Sequence, residues 1–427
     1  MRQSLLQTQP IADQVGFHHI HCEVYKTDYI HVFFSLPLSW ENAAETALLS
    51  RMLLRGCAKY PTLRALHRAL DESYSATVDA DVFKVGENQV LEVSASCLAD
   101  DYALNAESIT GQLTQLLTQV IFEPYVTDGG LCREYLEGER QNAKDQVRAR
   151  FNNKMSYART RMYELMCENE RFCVDPLGRE QDLDRPDGQS LLAAHGRLLE
   201  QAHVEIFHVG RSGPEPVYQA FCRGFAGVKR RPLPVVTCEP VSAPAQIAYH
   251  REQAAVTQAN LAMGFRTDMR AGDPRQAVFS VFNALFGGTA SSKLFMNVRE
   301  KMSLCYSIGS RPVNSKGVLS VVCGIDGSKQ EAARQEILRQ LDGICRGDIT
   351  ADEMEQNRNV LLNSLAGLED TPSSLADWYY PRVLFGDRAD PVQVMEQVQA
   401  VTADQVAQIA QTVKPACVYC LEGGDSQ

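Results

Sequence analysis

The chain has 427 residues, which suits two or three domains, and 44% of them are hydrophobic, enough for sizeable cores. Its formal net charge of −11 argues against general binding to nucleic acid or to a bilayer surface. We find no signal-peptide core, no apolar run long enough to cross a membrane, and no framework spacing among the 13 cysteines. These features predict a cytoplasmic protein with reduced thiols.

The first half of the chain alternates between strand and helix patterns. The predicted elements are a hairpin over 16–38 with its turn at 26–28, helices over 42–54 and 62–74, strands over 76–84 and 89–97, a helix over 103–121, a long polar helix over 130–170, a helix over 188–202 and a strand over 203–210. Thr62 is a good N-cap residue for the second of these helices.

Proline-rich segments between residues 211 and 245 bracket one short helix and mark the best domain boundary. The elements predicted after it are a strand over 255–265, helices over 275–286 and 291–301, strands over 304–310 and 317–324, helices over 329–346 and 350–368, a helix near Trp378 and a final helix and strand. This order repeats that of the first half, which predicts a duplicated domain. We therefore predict domains over 1–212 and 246–427 joined by a linker over 213–245.

Residues 281–308 read VFNALFGGTASSKLFMNVREKMSLCYSI: a helix, a turn containing Gly287 and Gly288, a helix with Arg299 and a strand with Tyr306. This stretch resembles the C-terminal half of the insulinase-like (M16) metallopeptidases, and the order of elements is similar to that family along nearly the whole chain. The resemblance implies an α+β fold of two homologous M16-type (LuxS/metallopeptidase-like) domains. Each would be an antiparallel-rich sheet packed with helices, and together they would form one half of a clamshell.

The N-terminal half of that family carries His-x-x-Glu-His on a helix, in which two histidines bind zinc and the glutamate is the general base. The resemblance places Ala47, Ser50 and Arg51 at these positions. The third ligand of the family is a glutamate on a later helix, seven residues after another glutamate. Counting from Glu139 leads to Gln146, and the alternative count from Glu137 leads to Lys144. We expect no zinc or other cofactor in this chain.

In the family, an arginine and a tyrosine seven residues later hold the peptide substrate, and Arg299 and Tyr306 match that pair. A guanidinium and a phenol can both donate hydrogen bonds to a peptide carbonyl and stabilise oxyanion charge. Gly287 and Gly288 would allow another chain to approach the backbone closely. The competing interpretation is that Arg299 is a helix-surface residue and Tyr306 a strand core residue.

The resemblance implies a non-catalytic subunit that pairs with an active zinc M16 chain and contributes peptide-binding residues to peptide processing. Zinc is expected only in that partner. A homodimer is the other assembly considered, and neither nucleic acid nor membrane is an expected partner. The alternative is a scaffold or peptide-binding protein with no part in the chemistry. A third hypothesis is an enzyme with an unrecognised site, such as a cysteine nucleophile, although no motif supports one.

The histidines of the first predicted strands could also suggest a metal site. His18, His19, His21 and His31 are close in sequence, but adjacent strand residues point to opposite faces. We interpret them as polar strand positions near a sheet edge.

Overall fold

The computed structural model describes residues 6–105 and 107–423, which form two compact α+β units. The first unit takes its described residues from Met1–Arg148, Val174–Val236 and Leu368–Asp390, and the second from Ala149–Cys173, Thr237–Gly367 and Pro391–Gln427. The domains predicted from sequence are two continuous segments, 1–212 and 246–427, and these limits stay a prediction. No helix within the described ranges is long and apolar enough to cross a bilayer.

Strands and helices alternate along both halves of the chain. The strands are β1 (Leu6–Ala12), β2 (Val15–His21), β3 (Thr27–Pro37), β4 (Thr77–Val85), β5 (Asn88–Leu98), β6 (Val126–Thr127), β7 (Gly130–Leu131), β8 (His203–Gly210), β9 (Ala248–Ala254), β10 (Ala259–Arg266), β11 (Cys305–Val313), β12 (Val318–Ile325) and β13 (Lys414–Gly423). The helices are α1 (Trp40–Leu53), α2 (Leu63–Glu72), α3 (Ile109–Phe122), α4 (Arg133–Ala149), α5 (Lys154–Met166), α6 (Gly188–Gln201), α7 (Glu215–Phe225), α8 (Gln276–Asn283), α9 (Gln330–Cys345), α10 (Ala351–Ala366), α11 (Pro372–Leu384), α12 (Pro391–Gln399) and α13 (Ala403–Ala410). Two π-helical segments, Ala284–Gly288 and Leu294–Lys301, follow α8.

The large sheet of the first unit has the strand order β1-β2-β8-β3-β5-β4 in the part of the chain that the structure describes. β2 and β8 are parallel, and all other neighbours in this sheet are antiparallel. The hairpin predicted over 16–38 is therefore wrong, although its two strands exist. β8 lies between β2 and β3 and forms the backbone hydrogen bonds that a hairpin would have formed.

Side chains alternate between the two faces of this sheet along each strand, and each face packs against a hydrophobic cluster. Phe34 belongs to the cluster that the sheet shares with helices such as α1, α3 and α6. Its neighbour Phe33 belongs to a second cluster, which contains Phe207 and the aromatic residues of α11.

The sheet of the second unit repeats this topology. Its strand order is β11-β12-β10-β13-β9 among the described residues, with β13 and β9 parallel and the other pairs antiparallel. The order β4-β5-β3-β8-β2 in the first unit has the same connectivity and the same directions. The predicted duplication is confirmed by this match. β1 has no counterpart in the second sheet as described.

Each half of the chain gives one helix to the other unit. α5 comes from the first half but packs on β10 and β13 of the second unit. Gly264 in β10 makes room for it, since a Cβ there would lie 2.3 Å from the sulfur of Met162. Conversely, α11 comes from the second half and packs on β3 and β8, where the rings of Tyr380 and Phe33 stack with centroids 3.9 Å apart.

This exchange explains why the single helix predicted over 130–170 is wrong. α4 ends at Ala149, a tight turn follows over Arg150–Asn152, and α5 begins after Asn153. The side chain of Asn153 accepts a hydrogen bond from the backbone N–H of Ser156 at 3.0 Å, which is the geometry of an N-cap. The cap starts a new helix at the point where the chain leaves the first unit.

Candidate functional site

The positions expected to have lost a metal site converge in the first unit. Ala47, Ser50 and Arg51 lie on α1, and Gln146 lies on α4. All four line one cavity of about 340 Å³. The counting from Glu139 that selected Gln146 therefore leads to a residue that faces the same space as the α1 positions.

Ala47 and Ser50 offer no metal ligand. The methyl side chain of Ala47 is buried. The hydroxyl of Ser50, also buried, donates a hydrogen bond to the backbone carbonyl of Ala47 at 2.9 Å. This bond satisfies a polar group inside the helix and leaves no basic group at the position of the general base.

Two arginines and one carboxylate occupy the remainder of the site. Arg51 donates from Nη1 to Glu139 Oε2 at 3.3 Å and from Nη2 to Gln146 Oε1 at 2.5 Å. Arg55, in the turn just after α1, donates from Nε to Glu139 Oε1 at 2.5 Å, and its Nη2 contacts the same oxygen. The amide of Asn142 also donates to Glu139 Oε2, at 3.3 Å. Glu139 is thus the centre of the network, and its side chain is only 7% exposed.

Sequence reasoning did not identify Arg55 and Glu139 as a pair. The signal was present in the spacing, because two arginines four residues apart at the end of a helix repel each other unless an acidic group lies between them. Only the structure shows that α4 supplies that group.

A zinc ion does not fit this set of residues. The polar side chains that face the cavity are a hydroxyl, two permanent cations, an amide, the carboxylate of Glu139 that both cations already engage, and the exposed carboxylate of Asp81 at the rim. Over residues 6–105 and 107–423, no group of three or more His, Cys, Asp or Glu side chains is placed to hold a metal.

The glycine turn of the second unit lies in a π-helical segment. A Cβ on Gly287 would lie 2.8 Å from both Leu294 Cδ1 and Ser310 Oγ, and one on Gly288 would lie 2.6 Å from the side-chain nitrogen of Asn283. The small side chains are therefore required by neighbours within this chain.

Arg299 lies in the last turn of the second π-helical segment. Its guanidinium carbon is 4.5 Å from the centroid of the Phe295 ring, a cation–π distance, and its Nε is 3.6 Å from a carboxylate oxygen of Glu300. Its side chain is 38% exposed. Burial raises the pKa of the nearby Cys305 thiol to about 11, and the charge of Arg299 opposes that rise.

Tyr306 lies on β11, an edge strand of the second sheet as described. The pairing of β11 with β12 shifts between Cys305 and Ser307, so Tyr306 is the extra residue of a β-bulge. Its side chain is in open contact with solvent, at 69% exposure for the residue. It is therefore not the strand core residue of the competing interpretation. Ser303, between the two candidate residues, has a left-handed φ of 51°.

Known proteins resemble this chain over most of its length. Residues 187–361 match the family described as the Peptidase M16 inactive domain. The "Probable inactive metalloprotease YmfF" of Bacillus subtilis (strain 168) is 26% identical over 406 residues, which cover 95% of each chain. The chain is thus similar to an inactive M16 metalloprotease homologue over nearly its whole length, and residues 187–361 carry the match to the M16 inactive domain.

Solved structures share the fold of this chain. A conserved protein from Enterococcus faecalis V583 is 25% identical and superposes with a TM-score of 0.92, covering 99% of this chain and 100% of that one. A peptidase M16 inactive domain from Pseudomonas fluorescens has the same fold at 16% identity, with a TM-score of 0.79 and 99% coverage of both chains. The predicted α+β fold of this M16 homologue is thereby confirmed.

The thiols of this M16 homologue do not favour the cysteine-nucleophile hypothesis. Burial raises the pKa of several of them, to about 12 for Cys97 and Cys420 and to about 11 for Cys305 and Cys417. Such thiols are protonated at neutral pH, whereas the nucleophile is the thiolate.

The histidines of the M16 homologue's first sheet are structural. His18 Nε2 donates to Glu205 Oε2 at 2.6 Å and His203 Nε2 to Glu205 Oε1 at 2.7 Å. Burial alone would raise the pKa of Glu205, but these two hydrogen bonds lower it below its ordinary value. His18, His19 and His31 are all buried, and β2, which carries the first two, lies next to the edge strand β1, whereas His31 lies on the interior strand β3. β8 lies between β2 and β3, so β2 has a neighbouring strand on both sides.

Proposed function

We propose that this chain is a non-catalytic subunit that pairs with an active zinc M16 chain and presents Arg299 and Tyr306 to the peptide being processed. Three features support the proposal: the ion pairs of the first unit, the presence of the arginine and the tyrosine in the second unit, and the exposure of both side chains. The first unit has ion pairs where a metal site would need ligands. The second unit keeps the arginine and the tyrosine, and both are solvent-accessible.

The exposure of Tyr306 is the observation that carries the proposal. Burial of an aromatic side chain normally stabilises the folded protein. Here it stands out from a bulge on an edge strand, and bulges are common beside functional sites because they redirect one side chain. The edge of β11 offers backbone groups to an extended peptide, while the phenol and the nearby guanidinium offer hydrogen bonds to its carbonyl groups.

The test is peptide hydrolysis by the purified chain, alone and mixed with an active zinc M16 chain from the same organism. The chain alone should hydrolyse nothing and should raise the partner's turnover when mixed with it. Removing one oxyanion donor typically costs about 10²-fold in rate, so Arg299→Ala and Tyr306→Phe should each lower the mixed activity by about that factor.

Matched controls are available in the same unit. Tyr249→Phe changes another exposed tyrosine, and Arg346→Ala another exposed arginine, and neither should alter the mixed activity. Hydrolysis by the isolated chain, or full activity of both Arg299 and Tyr306 variants, would contradict the proposal.

A scaffold without a part in chemistry is the second candidate. The ion-pair network in place of a metal site favours it, since those contacts stabilise the first unit without any catalytic group. This candidate expects Arg299→Ala and Tyr306→Phe to assemble with the partner and to leave its turnover unchanged. A cytoplasmic location belongs to the same proposal. The size of the complex in the mixing experiment distinguishes a heterodimer from a homodimer.

A further inference from the structure

The former metal position in the first unit has an excess of positive charge at its inner wall. Arg51 and Arg55 share a single carboxylate, that of Glu139. Both oxygens of this carboxylate already accept hydrogen bonds from them, and one also accepts from Asn142. One formal positive charge is therefore left over in the network.

The two guanidiniums also have N–H donors to spare. Each has five, and the contacts with Glu139 and Gln146 use two on each side chain. The side chains of Arg51 and Arg55 are 26% and 29% exposed, and both line the cavity of about 340 Å³. A planar fork of unused donors beside a cavity matches the geometry of a carboxylate.

The cavity walls suit the carbon chain that would carry such a group. Leu54, Leu63 and Val82 line it beside the arginines, so an aliphatic stem would meet apolar surface. Val82 belongs to β4, which is an edge strand of the first sheet as described. A peptide that runs along this edge could place an acidic group in the cavity.

One residue opposes an anion. Asp81 also lines the cavity, and its Oδ1 accepts a hydrogen bond from the backbone N–H of Val82 at 2.8 Å. Asp81 is exposed, so water screens its charge more strongly than that of the buried Glu139. The inner wall therefore attracts a carboxylate while the rim weakens the attraction.

We propose that the Arg51–Arg55 cavity binds a carboxylate group of a peptide. The group is either a C-terminal carboxylate or the side chain of an aspartate or glutamate. This site lies in the first unit and does not depend on Arg299 or Tyr306, so it can be measured on the isolated chain whatever the outcome of the hydrolysis test.

The probes are three fluorescein-labelled peptides of one neutral sequence, followed by fluorescence anisotropy. The first has a free C-terminus, the second has an amidated C-terminus and one internal glutamate, and the third is amidated with glutamine in place of the glutamate. At low salt, one of the two carboxylate peptides should bind about tenfold more tightly than the third, which is about 1.4 kcal/mol. Which of the two does so identifies the source of the group.

Variants link the binding to the cavity. Arg51→Met and Arg55→Met each leave one arginine paired with Glu139, so the preference for a carboxylate should disappear. Arg68→Met, an exposed arginine on α2, is the matched control and should keep it. Asp81→Asn touches none of the arginine contacts and should strengthen carboxylate binding severalfold, so it tests the proposal even where an arginine variant fails to fold. Equal binding of all three peptides by the wild type, or no gain in Asp81→Asn, would overturn the proposal.

Discussion

Arg51 on α1 donates a hydrogen bond to Gln146 on α4 at 2.5 Å, across the space where two helices of an active relative would share a metal ion. The four predicted metal-site positions line one cavity, so restoring ligands there tests the prediction. We predict that the combined variant Ala47→His, Ser50→Glu, Arg51→His and Gln146→Glu binds one zinc per chain, because it restores two histidines one turn apart and a carboxylate opposite them.

Metal analysis after gel filtration measures this directly. Arg51→His alone is the control and should retain no zinc, since one histidine is too few ligands. A folded combined variant without zinc would show that α1 and α4 are not held at the distance that a metal requires.

Glu139 should matter more to stability than its neighbours on α4. Glu139→Gln removes the charge that separates Arg51 from Arg55 and leaves two half-buried cations close together. We expect a loss of about 2 kcal/mol in the free energy of unfolding. Urea denaturation measures it, and Glu137→Gln, at a 60% exposed side chain of the same helix, should change little. Equal losses in both variants would mean that the network contributes nothing specific.

A buried histidine should make the first unit sensitive to acid. Burial lowers the pKa of His208 from 6.5 to about 3, and neither ring nitrogen has a hydrogen-bond partner among the described residues. Between pH 6.5 and about 3, the unfolded chain therefore binds a proton at this histidine that the folded chain does not bind. Stability is complete above pH 6.5 and falls toward pH 3, by about 1.4 kcal/mol per pH unit for this one group.

Denaturation at a series of pH values tests the assignment. His208→Leu should flatten the stability profile between pH 6.5 and about 3, while His21→Leu, at a half-exposed side chain, should not. A profile that is unchanged in His208→Leu would assign the acid sensitivity to other groups, such as His19, whose pKa burial also lowers.

The exchange of α5 and α11 predicts that the two halves stay together after the linker is cut. Residues 244–246 are exposed and lie outside helices and strands, so a protease site can be placed there. The two fragments should elute as one species and separate only in denaturant, because each unit contains a helix from the other fragment. Separate elution of the native fragments would contradict the packing of α11. Tyr380→Ala should lower the stability of the complex by about 3 kcal/mol by removing the stacking partner of Phe33.

The sequence predicted those parts of the fold that local patterns determine. β4 and β5 were placed because alternation and a short turn lie within one stretch, and Thr62 was a recognisable N-cap that does accept from Ala65. The pairing of β2 with β8 was not predictable, because nothing near β2 reports on a strand that comes much later in the chain. β9 was missed since its residues, AYHREQA, are mostly polar.

In the candidate site, too, some features could be predicted from the sequence and others depend on contacts between distant parts of the chain. The positions of Ala47, Ser50, Arg51 and Gln146 followed from the resemblance to the M16 motif, and they do line one cavity. The ion pairs of Glu139 depend on the distance between two helices, which spacing along one chain does not determine. The exposure of Tyr306 depends on a bulge, and a bulge is set by the partner strand.

The strand that distinguishes the two sheets has a consequence for solubility. In the first unit, β1 pairs with β2 and becomes the outer strand, whereas β9, the equivalent of β2, is itself an edge strand in the second sheet as described. An uncovered edge invites pairing with another molecule. β9 carries His250, Arg251 and Glu252 along this edge, so a second molecule would have to desolvate charged side chains to add a strand. Side-chain charge along β9 thus makes this edge of the second sheet a poor template for aggregation.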